Sequence, residues 1–344
     1  MNNKISVDLV SMEDMISSGC FDIDLVTSII SKALIDYKNG YIDLPDKISQ
    51  IFNEETQDRI NCMPATLKNE RVCGVKWVSV FPNNPIKYSI PNVSGTIILS
   101  EIEKGLPFAI MDGTFITAVR TACMGALAAK NLAKKNSKVF GSIGAGEQAK
   151  MHFVAIKHFF PNIKKCYVAS YRSFEEDSFV DVLSKKYPDV EFVKCNSDYG
   201  MASKEADIIV TAVSCQKPLL RSDSIKKGAF YCHVGGWEDE YSVPLMADKI
   251  ICDNWNALKH RGSPTIARLY KMGKLSDEDI YCNLADVLDG TKLSRENDDE
   301  FIYFNSIGLA FIDMAVALSF YKKCKSKTKW IMKDSDLFGG LIKQ

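Results

Sequence analysis

Two hydrophobic rhythms divide the chain. Between residues 138 and 252, short apolar runs alternate with stretches whose apolar positions recur every three or four residues, the spacing of a helix with one buried face. The runs predict strands from Val139 to Ile143, Cys166 to Ala169, Glu191 to Val193, Ile208 to Ala212, Ala229 to His233 and Lys249 to Cys252. The intervening periodicity predicts helices reaching His158, then over residues 174–187 and 199–206. Strands alternating with crossover helices are the mark of a parallel sheet.

The first part of the chain is patterned differently. Ser11-Met12-Glu13-Asp14 has the spacing of a capping box, and Leu25, Ile29, Ile30, Ala33, Leu34 and Tyr37 follow a helical period closed by Asn39-Gly40. Strand-like segments follow through Ile48 and Ile51, then over 59–64, 73–80 and 95–99, punctuated by turn clusters such as Pro82-Asn83-Asn84-Pro85. An alanine-rich helix is expected from Thr117 to about Leu132, and a last one through Tyr321 that packs back against the first domain.

Composition narrows the function classes. In 344 residues, 43 basic side chains balance 43 acidic ones, which argues against a nucleic-acid footprint or a polybasic membrane surface. No apolar run is long enough to span a membrane and no export signal is apparent, so a cytoplasmic protein is expected. The 11 cysteines are scattered without a C-x-x-C pair and read as reduced, mostly buried thiols. The 4 histidines are not at ligand spacing, so no metal is expected.

Chemistry enters at Gly144-Ala145-Gly146-Glu147-Gln148-Ala149, a G-x-G-x-x-A bend between an expected strand and helix. There the first glycine permits a tight turn, the second lets backbone approach a pyrophosphate, and the helix N-terminus faces the phosphates. The expected fold class is therefore α/β: a Rossmann-type doubly wound parallel sheet over 119–313, plus a discontinuous α+β domain formed by 1–118 and completed by 314–344. The second strand ends in Ser170-Tyr171-Arg172-Ser173 with no carboxylate at its tip. A hydroxyl followed by a guanidinium suits a 2′-phosphate, so NADP is favoured over NAD. Outside the glycine loop, Lys76 interrupts an apolar strand and either works there or points into solvent on the face opposite Val75 and Trp77. Arg120, in the first turns of the alanine-rich helix, has no neighbouring arginine to substitute for it.

Lys76-Trp77-Val78 with Asn84-Pro85 and Val93-Ser94-Gly95 resembles the ornithine cyclodeaminase/mu-crystallin family. So do Met111-Asp112-Gly113-Thr114 with Thr117 to Ala122, the glycine bend, and Asn305-Ser306-Ile307-Gly308-Leu309-Ala310 with Asp313. The later half is most similar to the branch that makes 2,3-diaminopropionate by oxidising N-(2-amino-2-carboxyethyl)-glutamate. The resemblance implies a homodimer formed through the first domain and a small amino-acid or imino-acid substrate. It implies that Lys76 and Arg120 are catalytic and grip the substrate carboxylate, with Lys47, Glu238 and Ile307 also in contact. Cofactor-lining positions would be Thr121, Gly144, Ala145, Gly146, Glu147, Gln148, Ser170, Tyr171, Arg172, Thr211, Ala212, Val213 and Ser306.

One departure matters. Cyclodeaminases of the family carry a catalytic aspartate directly after a Gly-Gly pair, whereas Gly235-Gly236 is followed here by Trp237. Trp237 then reads as a pocket wall, and Glu238-Asp239-Glu240 either as a solvated turn or as a replacement acid. That favours an NAD(P)-dependent oxidoreductase acting on a C–N bond. The alternatives are a cyclodeaminase-type lyase with bound NAD and a non-catalytic, crystallin-like dinucleotide binder.

Overall fold

In the computed structural model, which describes residues 5–214, 216–325 and 327–333, the chain divides into two units. One comprises Met1–Arg120 with Leu309–Gln344, the other Thr121–Gly308. The first division falls inside the long helix Gly113–Leu132. Cys215, and residues 334–344 of the segment expected to complete the first domain, lie outside the described residues.

The first unit is built on a sheet of 8 strands. Asp58–Leu67, Val72–Val80, Val93–Glu101 and Pro107–Asp112 run as an antiparallel meander. Ile5–Val10 adds parallel to the last of these, and Thr328–Lys333 closes that edge. At the other edge Ile42–Asp43 and Ile48–Asn53 both pair with Asp58–Leu67. Helix Met12–Ser17 starts at the expected capping box, in which Ser11 and Asp14 satisfy each other's backbone amides.

Helix Ala310–Lys323 lies over the middle of this sheet beside helix Ile23–Lys38, and it is buried along most of its length. Its approach is close because residue 74 has no side chain. A Cβ on Gly74 would run into Met314 Sδ and sit 2.6 Å from the Ile98 carbonyl oxygen.

The second unit carries a sheet of 8 strands in which every pairing is parallel. Its order is Glu191–Lys194, Lys165–Ala169, Val139–Ile143, Ile208–Thr211, Phe230–His233, Ile302–Asn305, Lys249–Cys252, Cys282–Asn283. The direction of winding reverses between Val139–Ile143 and Ile208–Thr211, and ligands of open α/β sheets bind at such a switch point, beyond the carboxyl ends of the strands. The strand Ile302–Asn305 was not anticipated. It is buried on both faces between Phe230–His233 and Lys249–Cys252, but its run is only four residues long and is followed directly by a Ser-Ile-Gly loop.

Replacing Gly74 by alanine is expected to lower stability by about 1–3 kcal/mol, the usual cost of overpacking, because the new methyl meets backbone as well as the Met314 side chain. A lower urea midpoint at unchanged slope would register this; an unaltered midpoint would show that the helix can lift off the sheet at no cost.

Candidate active site

Cross-strand register explains why Lys76 is not solvated. It stands in one row with Met63, Ile97 and Met111, which are 7%, 0% and 1% exposed, and is itself 1% exposed. Trp77 instead belongs to the opposite face, in a row with Ile48, Cys62 and Thr96, and is 46% exposed. The possibility that Lys76 points into solvent is therefore overturned: the helical layer covers the lysine's side of the sheet, not the tryptophan's.

A carboxylate meets Lys76 there. Asp313, on helix Ala310–Lys323, is fully buried, with Oδ2 2.8 Å from Lys76 Nζ and Oδ1 accepting a 2.8 Å hydrogen bond from Arg120 Nε. Lys76 also reaches Thr117 Oγ1 at 3.4 Å. Burial disfavours the ammonium, Asp313 supports it and Arg120 opposes it, and the lysine is brought down to about 8. With Lys76 protonated, two buried cations face one carboxylate. The cluster thus carries an excess positive charge in a place where an unpaired charge is costly, and an incoming carboxylate would neutralise it. Asp313 entered the sequence reading only as the end of a motif. Its signal was there: it is the sole charged residue between Glu300 and Lys322. Lys47 is half-buried and lies in coil just before the edge strand Ile48–Asn53.

In the second unit, the chain leaves strand Val139–Ile143 through Gly144, whose φ of +107° favours glycine. Its N–H donates to the Ala169 carbonyl at 2.8 Å, and a Cβ would lie 2.5 Å from the Ala212 carbonyl oxygen. Gly146 caps helix Glu147–Phe159 without a side-chain partner, and a Cβ built on it meets nothing within 4 Å. Gly146 and Glu147 are exposed at the start of this helix, where first-turn amides have no partner within the helix and a diphosphate can accept from them. Ala145 and Ala149 are buried, while the Gln148 Oε1 atom is a buried acceptor without a partner.

The tip of strand Lys165–Ala169 differs from expectation. A carboxylate does stand there, supplied by the first turn of the next helix, Ser173–Lys186. Glu175 accepts a 2.5 Å hydrogen bond from Ser170 Oγ and one of 3.0 Å from Arg172 Nη1, while Tyr171 is 83% exposed. The adjacent Glu176 is fully buried and accepts from the backbone amides of Ser170, Asn196 and Ser197, each at 2.9 Å.

Of the other expected cofactor positions, Thr211 ends its strand, while Ala212, Val213 and Ser306 follow the carboxyl ends of strands in the same sheet. The Ala212 amide donates to the Ile143 carbonyl at 2.9 Å. Thr211 turns inward, its hydroxyl bonded to Glu238 Oε2 at 2.6 Å and close to Tyr231 Oη at 2.9 Å. Asp253, to which the sequence assigns no role, takes a 3.0 Å hydrogen bond from Ser306 Oγ and others from the amides of Ile307 and Gly308 at 2.9 and 3.2 Å. Burial outweighs these donors and raises the carboxyl to about 6. Thr121 opens this unit on helix Gly113–Leu132.

The solvated turn considered for residues 238–240 is also corrected. Glu238 and Asp239 are fully buried in strand Trp237–Asp239, which pairs with Gln216–Leu220. Glu238, expected as a substrate contact, spends its oxygens on Thr211 and on the amides of Val213 and Gly235, at 2.6 to 2.9 Å. It therefore holds the Gly-Gly bend in place. Asp239 accepts from Thr265 Oγ1 at 2.6 Å and lies 3.0 Å from His233 Nδ1. Burial alone would depress His233, but Asp239 and Glu238 outweigh it and hold the imidazole above its ordinary value. Trp237 is stacked on Tyr241 at 5.6 Å and lies under the Arg268 guanidinium at 4.5 Å.

Among the described residues no cluster of His, Cys, Asp or Glu could hold a metal ion, and no helix is long and apolar enough to cross a membrane.

The chain as a whole is similar to known proteins. The chain is 30% identical over 278 residues to an N-((2S)-2-amino-2-carboxyethyl)-L-glutamate dehydrogenase of Staphylococcus aureus, covering 80% of this chain and 82% of that one. A structure of Thermococcus litoralis Δ(1)-pyrroline-2-carboxylate reductase in complex with NADH and L-proline superposes with a TM-score of 0.87 at 28% identity, covering 94% and 99% of the two chains. An archaeal alanine dehydrogenase dimer with bound NAD gives a TM-score of 0.85 at 29% identity, covering 96% and 100%. The profile of the ornithine cyclodeaminase/mu-crystallin family matches residues 9–328, and the chain belongs to that family.

Proposed function

We propose that this chain is an NAD(P)-dependent oxidoreductase that interconverts an α-amino acid, or an N-substituted one, with its imine. The observation that carries this reading is the buried Lys76–Asp313–Arg120 cluster, with its excess positive charge and a lysine poised near 8. Arg120 offers a planar fork of donors to the substrate α-carboxylate, and Lys47 is a second carboxylate contact. Lys76, in its neutral form, takes the proton released from the amine nitrogen as the C–N double bond forms. In the reverse direction its ammonium returns that proton to the imine. Asp313 touches neither carbon nor nitrogen of the substrate in this scheme; it positions both cations. A dinucleotide held by its diphosphate at the glycine bend would supply the hydride acceptor or donor through its nicotinamide. Gly144, Gly146 and the first-turn amides hold the diphosphate, and Ser170, Tyr171 and Arg172 border the adenosine end.

The substrate is drawn from the class that the relatives' names describe: alanine, proline and its cyclic imine, or N-(2-amino-2-carboxyethyl)-glutamate, whose oxidation and hydrolysis would yield 2,3-diaminopropionate and 2-oxoglutarate. A cyclodeaminase loses support, because Trp237 stands where that chemistry places an acid and Glu238 is committed to the loop. The enzyme is read as a homodimer joined through the open face of the first unit's sheet, where Trp77 and Ile48 are exposed in one row. The free cysteines suit the cytoplasm.

The test is to supply the protein with each of these amino acids and NAD or NADP, or with the imines and the reduced cofactors, and follow nicotinamide absorbance. Absence of turnover with every pair would end the proposal. Arg120→Met should cut kcat/KM by roughly 10- to 100-fold, mainly through KM, as expected for a lost charge-assisted contact. Amine oxidation should rise with pH and level off above an apparent pKa of about 8, set by Lys76. Because Asp313 raises the lysine's pKa, Asp313→Asn should move this limb to lower pH. A limb that stayed in place would show that another group sets it.

A further inference from the structure

Resting on the dinucleotide reading above, we infer that Glu175 is a specificity-determining residue that selects a cofactor lacking a 2′-phosphate. Strand-end rules look for an acid at the tip of the second strand itself, and none is present there: the sequence reads Ser170-Tyr171-Arg172. The fold supplies the acid from the following helix. Glu175 bends back over the tip, one oxygen 2.5 Å from Ser170 Oγ and the other 3.0 Å from Arg172 Nη1. The side chains of Glu175 and Arg172 are 30% and 32% exposed, so both border the surface that an adenosine ribose would meet.

Charge accounting at this tip disfavours a phosphate. Arg172, the group that would otherwise clamp a 2′-phosphate in a fork, is already neutralised by Glu175. The neighbouring Glu176 adds a second, fully buried negative charge at this strand end, pinned by three backbone amides. A phosphate dianion would have to break the Arg172–Glu175 pair and leave a carboxylate unpaired beside it. A ribose 2′-hydroxyl has a proton to donate and meets an acceptor already oriented by Ser170 and Arg172. The same residues that suggested NADP from sequence therefore serve NAD, because a side chain five positions beyond Ser170 holds them.

The experiment is a direct binding titration of NADH and NADPH, read by nicotinamide fluorescence, so that it does not depend on knowing the substrate. The wild-type protein should bind NADH about 10-fold or more tightly than NADPH at low salt, with the gap narrowing as salt screens the partly exposed carboxylate. Glu175→Gln keeps the acceptor and removes the charge; it should improve NADPH binding about 10-fold and leave NADH within a few-fold. Adding Arg172→Ala to that variant should erase the gain, since the freed guanidinium is what grips the phosphate. Equal or tighter binding of NADPH by the wild type, or an NADH-to-NADPH ratio that Glu175→Gln leaves unchanged, would overturn the assignment while leaving the dinucleotide site standing. Failure of both nucleotides to bind would remove the site and this inference together.

Discussion

The first unit depends on one buried electrostatic arrangement: a single carboxylate holding two cations where water cannot. Taking an ammonium and a guanidinium into a core is costly unless each finds an opposite charge, and Asp313 serves both at 2.8 Å. The Met63, Ile97 and Met111 row beside Lys76 offers no charge of its own, and among the described residues Asp313 is the acid paired with the lysine. An arrangement that leaves one charge over is poorly adapted to stability for its own sake. It is well adapted to receiving an anion, and this is the physical basis for reading the cluster as a carboxylate site.

The second unit solves a different problem with the same chemistry. Its parallel sheet ends in a series of loops that must stay put without secondary structure of their own. Buried carboxylates hold them: Glu176 ties the loops after Lys165–Ala169 and Glu191–Lys194, Glu238 ties the Gly-Gly bend to the loop after Ile208–Thr211, and Asp253 gathers the amides of residues 307 and 308. Each accepts backbone N–H groups that would otherwise be buried unpaired. The loops at that end of the sheet are thereby tied to one another by the protein's own hydrogen bonds.

Much of this was legible in the chain, and the exceptions have physical causes. Apolar runs bounded by helical periodicity reported the core strands of the parallel sheet, because a run buried on both faces leaves an unbroken signature. Ile302–Asn305 escaped because its short run abuts an acidic turn on one side and a Ser-Ile-Gly loop on the other. Lys76 was conspicuous, yet period-2 alternation says only that it opposes Trp77, not which face is covered; that is settled by a helix more than 200 residues further along the chain. Glu238 was seen as an acid near the right place, but its inward direction comes from Thr211, Val213 and Gly235, a tertiary fact. Glu175 is hidden from a strand-tip rule because it stands in the first turn of the following helix, not at the tip itself.

Gly74 has a consequence for the whole cluster. Since Met314 follows Asp313, the hydrogen atom at position 74 works as a depth gauge: it fixes how far the helix sinks toward the strands, and with it the height at which the aspartate meets its two cations. The separation of charges in this core is calibrated by the absence of one methyl group.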